Sequence, residues 1–146
     1  MLALGVAGGL LAERTVSSRP AVATSGATAA ATGQFDICGA GRRVNCVVDG
    51  DTFWIGGEKI RIADIDTPET HPPRCASEAA LGTRATMRLQ ELLNGGPVTM
   101  AIGDRDVDRY GRKLRIVSLG GVSIGTTLVD EGLAREWTGR RMPWCD

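Results

Sequence analysis

Val48-Asp49-Gly50-Asp51-Thr52 and Arg61-Ile62-Ala63-Asp64-Ile65-Asp66-Thr67-Pro68-Glu69 are the two phrases on which the fold turns. Both put carboxylates where a β-rich run stops. Val44–Val48, Thr52–Ile55 and Lys59–Ile65 read as three short strands, split by the turn signals Asp49-Gly50 and Gly56-Gly57. Gly56-Gly57 suits a tight hairpin. Arg61 lies five positions before Asp66, so in a perfectly alternating strand the two would face opposite sides of the sheet. Bringing them together requires a bulge or a strand end between them.

A helical period begins near Ser77 and carries Ala80, Leu81, Ala85, Leu89, Leu92 and Leu93. Ser77 is expected to cap its start and Asn94-Gly95-Gly96-Pro97 to end it. Strands are expected at Val98–Ile102 and Lys113–Leu119. A short helix is expected over Val122–Glu131, with Leu128 inward and Gly132 stopping it. Five strands with a helix after the third suit a mainly β, α+β domain, a small Greek-key barrel of the oligonucleotide/oligosaccharide-binding (OB) type.

At 146 residues and 42% apolar content, the chain can bury one ordinary core. Residues 36–146 are expected to form it. Residues 1 to about 35 read as an export signal with an Ala/Thr/Gly-rich linker, because Met1–Ala12 is uncharged, apolar and too short to span a bilayer. An uncleaved membrane anchor with a flexible stalk is the alternative. Either way the folded part is expected to be exported, periplasmic or secreted, and monomeric.

Cys38, Cys46, Cys75 and Cys145 make an even set, which in an exported chain favours two disulfides. Three connectivities are open. Close Cys pairs are lacking and His71 is the only histidine, which argues against zinc. The cysteines are expected to serve stability rather than catalysis. Formal net charge is zero, so bulk positive charge does not recommend the chain as a nucleic-acid binder.

The chemistry lies in the combination. Asp51 and Asp66 offer the hard oxygens that calcium or magnesium prefers, and Thr67-Pro68 stiffens the corner that presents Glu69. Asp108-Arg109-Tyr110-Gly111-Arg112 adds arginine forks suited to phosphate. Taken singly, Asp49-Gly50-Asp51 is a plain turn, Thr67-Pro68-Glu69 a strand exit and the arginine segment a solvated loop. Together and in this order they read as a metal-dependent phosphodiesterase, which must neutralise phosphoryl oxygens and activate a water.

In that order, Asp49-Gly50-Asp51-Thr52, Arg61, Ile65-Asp66-Thr67-Pro68-Glu69 and Asp108-Arg109-Tyr110-Gly111-Arg112 resemble the signatures of the staphylococcal nuclease (thermonuclease) family. Similarity runs from about Cys46 to Ala134, with Leu128-Val129 and Gly132-Leu133-Ala134 matching the family's second helix. The resemblance implies an OB-fold barrel and one calcium ion held by Asp51, Asp66 and the Thr67 carbonyl, with Asp49 nearby. It implies Arg61 and Arg112 on the scissile phosphate, Glu69 as general base and Tyr110 as a substrate contact. The implied activity is an endonuclease that hydrolyses DNA and RNA with little sequence preference and leaves 3′-phosphate ends. Two departures stand out. The segment Glu136–Asp146 is too brief for the family's final long helix, and Trp137 lies within a position of a family tyrosine.

Two other classes compete. One is a non-catalytic barrel that holds nucleic acid or protein, although such members lose acidic and arginine positions that this chain keeps. The other is an envelope protein that uses the barrel as an interaction scaffold.

Overall fold

The computed structural model describes residues 30–146. The expected signal or anchor, and most of the linker, fall on residues outside that range. Among the described residues, no helix is long and apolar enough to cross a membrane.

Strand β1 (Asp36–Ile37) runs parallel to β2 (Cys46–Asp49), and a Cys38–Cys46 disulfide ties this edge together. Strand β3 (Thr52–Ile55) folds back on β2, pairing Asp49 with Thr52. The next turn needs two residues in the left-handed region, and Gly56 and Gly57 supply it at φ +58° and +82°. This sets strand β4 (Glu58–Ile62) antiparallel to β3.

After Ile62 the chain leaves the main sheet. Strand β5 (Ile65–Asp66) pairs instead with the last strand, Arg135–Glu136. Helix α1 (Ala76–Asn94) then lays Ala85, Leu89 and Leu93 on the core, the 3.6-residue spacing that the sequence carries. Strands β6 (Val98–Val107) and β7 (Lys113–Leu119) form a long hairpin, and β7 inserts parallel to β4. Strand β8 (Val122–Ser123), helix α2 (Ile124–Asp130) and β9 (Arg135–Glu136) complete the chain.

The main sheet runs β1-β2-β3-β4-β7-β6, with β8 added beside β7. The five expected strands are therefore present, and β7 lies between β4 and β6 as a Greek-key crossover requires. The described residues are mainly β with two helices. Phe53, Ile60, Ile62, Ile65, Val98, Val117, Leu128 and Phe35 fill its core, and the Phe35 and Phe53 rings meet edge-on at 6.0 Å. Each such side chain contributes roughly 1.5–3 kcal/mol on burial.

Several boundaries differ from expectation. The run 59–65 is two strands rather than one, because Ala63-Asp64 forms a turn. Helix α1 starts at Ala76 with Cys75 as its N-cap, not with Ser77 as the cap. Cys75 lends no capping bond, since its sulfur is bonded to Cys145, and the Glu78 carboxylate instead accepts the Arg74 N–H at 2.6 Å. Strand β6 outruns the expected Ile102, because backbone pairing continues past a register shift while the side chains turn polar. Val122-Ser123 is strand, and the Ser123 hydroxyl accepts the Thr126 N–H to start α2. Just ahead of residue 36, Phe35 is fully buried and Ala31 bridges to Val98, so residues read as linker join the fold.

Candidate active site

The break at Ala63-Asp64 is what brings Arg61 and Asp66 to one side. Arg61 itself holds that corner, donating from Nη1 to the Ile65 carbonyl at 2.9 Å. The same nitrogen lies 3.2 Å from Asp51 Oδ2, and Nη2 lies 3.7 Å from Asp66 Oδ1. Thr67 closes the cluster by donating its N–H to Asp51 Oδ2 at 3.1 Å, and Thr52 donates its hydroxyl to Asp51 Oδ1 at 2.9 Å. Asp51, Asp66, Thr67 and Arg61 are all buried. One guanidinium thus faces two carboxylates taken out of water, an arrangement costly to assemble and stable only when paired.

Asp49 stands beside them, its Oδ1 accepting the Asp51 N–H at 3.2 Å. Burial, reinforced by the neighbouring Asp51 charge, pushes its carboxyl up to about 8. Burial also raises Asp66, although Arg141, Trp144 and Arg61 counter it. Asp49 is thereby held largely in its neutral form at neutral pH, which spares this acidic floor one charge, while the Arg61 and Arg141 guanidinium groups face Asp51 and Asp66.

Beside this floor, and sharing Arg61 with it, opens a cleft of about 960 Å³, lined among others by Lys59, Glu69, Arg112, Tyr110 and Trp137. Glu69 Oε1 accepts the N–H groups of Thr70 and His71 at 3.1 and 3.3 Å. Arg112 is anchored through Nε to Asp108 Oδ2 at 2.7 Å, and the backbone N–H of Arg112 also bonds Asp108. The Asp108-to-Arg112 turn therefore holds the arginine by its inner edge. Tyr110 is 67% exposed, with the Arg109 and Arg112 guanidinium groups 4.7 and 5.4 Å from its ring centre. Trp137 lies on the cleft wall with Arg61 at 5.9 Å from its ring.

Asp49, Thr67 and Arg61 thus each contact Asp51, and Arg61 links Asp51 to Asp66. Glu69, Arg112 and Tyr110 share the cleft without touching Asp51. The floor suits a hard cation on one specific ground: Asp66 Oδ1 is buried and accepts no hydrogen bond, leaving an oxygen served only by charge. Asp51 and Asp66 thus offer buried carboxylate oxygens of the kind that calcium or magnesium prefers.

Sequence reasoning missed Arg141 and Trp144. Arg141 Nη1 donates to Glu69 Oε2 at 2.9 Å and its Nε lies 3.1 Å from Asp66 Oδ1, while Trp144 Nε1 donates to Asp66 Oδ2 at 3.2 Å. The available signal was Cys145, whose disulfide to Cys75 draws this tail across the site. The cysteines, expected to serve stability rather than catalysis, thus include one that fastens the tail carrying Arg141 and Trp144.

The chain matches the family described as "Staphylococcal nuclease homologue" over residues 59–143, which takes in Arg61, Asp66, Glu69, Tyr110, Arg112 and Arg141 and begins after Asp51. It is 40% identical over 94 residues to endonuclease YncB of Bacillus subtilis (strain 168), covering 60% of this chain and 44% of that protein. It is 34% identical over 104 residues to a thermonuclease of Staphylococcus intermedius, covering 68% and 61%. To a micrococcal nuclease of Shigella flexneri it is 35% identical over 101 residues, covering 60% and 53%. The chain spans less than two thirds of the length of each of these relatives. With more than half of its residues inside the matched segment, the protein belongs to the staphylococcal nuclease homologue family.

Proposed function

We propose that this protein is a calcium-dependent endonuclease, exported from the cell, that hydrolyses DNA and RNA with low sequence specificity and leaves 3′-phosphate ends. The observation that carries the reading is the buried Asp51–Arg61–Asp66 cluster, which shares Arg61 with a cleft also lined by Glu69 and Arg112. The names of the relatives, endonuclease, thermonuclease and micrococcal nuclease, point the same way.

Asp51, Asp66 and the Thr67 carbonyl would hold the ion, with Asp49 beside them. When bound, calcium supplies positive charge next to a phosphate without demanding rigid octahedral geometry. Arg61, fixed by the Ile65 carbonyl, presents a guanidinium to one face of the phosphate. Arg112 is held by Asp108 through Nε, so its two terminal nitrogens remain for a bidentate phosphate contact. Glu69 takes the proton of the attacking water, its carboxylate kept in one orientation by the Thr70 and His71 N–H groups. Tyr110 and Trp137 offer aromatic faces to the nucleotide on either side.

Asp51→Ala tests the assignment. The variant should lose both calcium binding by calorimetry and cleavage of a labelled oligonucleotide. Cutting at the wild-type rate in chelator would sink the metal site. Tight oligonucleotide binding by the wild type without any cutting would favour the non-catalytic binding module instead.

A further inference from the structure

We propose that Arg141 is a positioning residue for Glu69 and Asp66, and that the Cys75–Cys145 disulfide, by fastening the strap that carries it, makes turnover depend on the oxidation state of the protein. The inference rests on the nuclease reading above.

The strap is residues 137–146, which follow β9 without regular structure. It begins where the Trp137 N–H donates to the Asp64 carbonyl at 2.8 Å. It ends at Cys145, bonded to Cys75 at the head of helix α1. Between these points the segment 138–142 is exposed. Its remaining supports are few: Arg135 Nη1 donates to the Pro143 carbonyl at 2.8 Å, and the Arg135 guanidinium lies 3.8 Å from the Trp144 ring centre. A segment this exposed stays ordered only if tied down, and the disulfide is its covalent tie.

What the strap delivers is specific. Arg141 spans two carboxylates of the site, through Nη1 to Glu69 Oε2 at 2.9 Å and through Nε to Asp66 Oδ1 at 3.1 Å. Trp144 takes the other oxygen of Asp66 at 3.2 Å. With Oε1 already held by backbone N–H groups, Arg141 fixes the second oxygen of Glu69 and thereby the plane of its carboxylate. Oε2 keeps a second lone pair, so it can still receive a proton from water. Arg141 also lines the cleft, adding its guanidinium to those of Arg61, Arg105, Arg109 and Arg112. Release of Cys145 would restore the freedom of the whole exposed segment, and Arg141 would then have to be ordered anew at each turnover.

The test uses the full chain in four forms beside the wild type: Arg141→Ala, Arg141→Lys, the pair Cys75→Ser with Cys145→Ser, and that pair combined with Arg141→Ala. All are assayed in calcium on a labelled single-stranded oligonucleotide, below the lowest melting temperature of the set. Arg141→Ala should lower kcat about 10–100-fold, the scale of a misplaced catalytic group, with KM changed by less than about threefold. Arg141→Lys should not restore it, because an ammonium cannot bridge both carboxylates as the guanidinium does. The serine pair should lose a comparable amount, and adding Arg141→Ala to it should cost nothing more, since both changes remove the same contact. An unchanged or faster kcat in Arg141→Ala, or losses that multiply in the combined variant, would overturn the proposal.

Calcium titration supplies a second readout independent of cutting. Removing a positive charge 3.1 Å from an Asp66 oxygen should make Arg141→Ala bind calcium severalfold tighter while it turns over more slowly. A variant that had merely lost structure would bind more weakly, and equal or weaker binding would count against the assignment. A wild type that binds calcium yet never cuts would refute the nuclease reading, and the titration would still decide for or against Arg141.

Discussion

Glu69 and Arg112 sit on opposite fixings, one held by backbone N–H groups and Arg141, the other by Asp108. Those fixings give each residue a separate prediction. Glu69→Gln should fold normally and bind a short oligonucleotide, yet cut about 10²–10⁴-fold more slowly, the usual cost of losing a general base. Single-turnover cleavage alongside a binding isotherm checks it, and a near-wild-type rate would remove Glu69 from the role. Arg112→Lys should also cut slowly, because Asp108 already engages the Nε edge and a lysine has no second arm left for phosphate. Residues such as Asp51, Asp66 and Glu69 were legible in the sequence because they cluster in short ordered phrases. Arg141 was not, because its partner Glu69 lies 72 positions away and nothing in the pattern 138–143 marks one arginine over its neighbour.

The strand end at Ile62 and the head of helix α1 decide whether these residues meet. The sequence showed that a break was needed between Arg61 and Asp66 but could not choose a bulge or a strand end. The choice belongs to β9, whose pairing with β5 is a contact with residues some 70 positions away. At the helix head, Glu78 is buried and accepts the Arg74 N–H, the Arg74 guanidinium and the Glu69 N–H, so it ties α1 to the corner that bears Glu69. The Arg74 side chain above all holds the Glu78 carboxyl down at about 2, against an ordinary 4.5. A carboxyl depressed on folding stabilises the protein fully above its unfolded value, and that contribution is lost as the pH falls from 4.5 through 2. Thermal melts across that window should show the loss. Glu78→Gln should start lower at neutral pH, by about 2 kcal/mol for a charge-assisted hydrogen bond, and fall less steeply in acid. An acid slope equal to that of the wild type would contradict the linkage. Four residues on, a Cβ at Gly82 would meet Thr70 Cγ2 at 2.7 Å and the Pro68 carbonyl at 3.0 Å. Gly82→Ala should therefore destabilise by about 1–3 kcal/mol, the range for overpacked contacts, and displace Glu69 with it. A melting temperature and cleavage rate both at wild-type values would show that the corner yields freely.

Across the whole molecule, zero net charge is compatible with a phosphate cleft because the cations are local: Lys59, Arg61, Arg105, Arg109, Arg112 and Arg141 line one groove, where they outnumber Glu69, Asp104 and Asp108. Composition hides such a groove, and only the fold assembles it. The fold class was readable because turn glycines and strand runs agree with each other, whereas the edges of the domain were not, since β1, β8 and β9 are two-residue strands specified by their partners. Both disulfides, Cys38–Cys46 and Cys75–Cys145, leave no free cysteine, so alkylation of the native protein without reductant should modify no thiol. Reduction should lower stability by about 2–4 kcal/mol for each bridge, and four alkylated thiols in freshly prepared protein would contradict the pairing. The account as a whole stands on one assay: incubation of the full chain with plasmid and single-stranded DNA, in calcium and in chelator. It predicts that both substrates are cut in calcium and that neither is cut in chelator. Intact DNA under both conditions, or equal cutting in each, would contradict it.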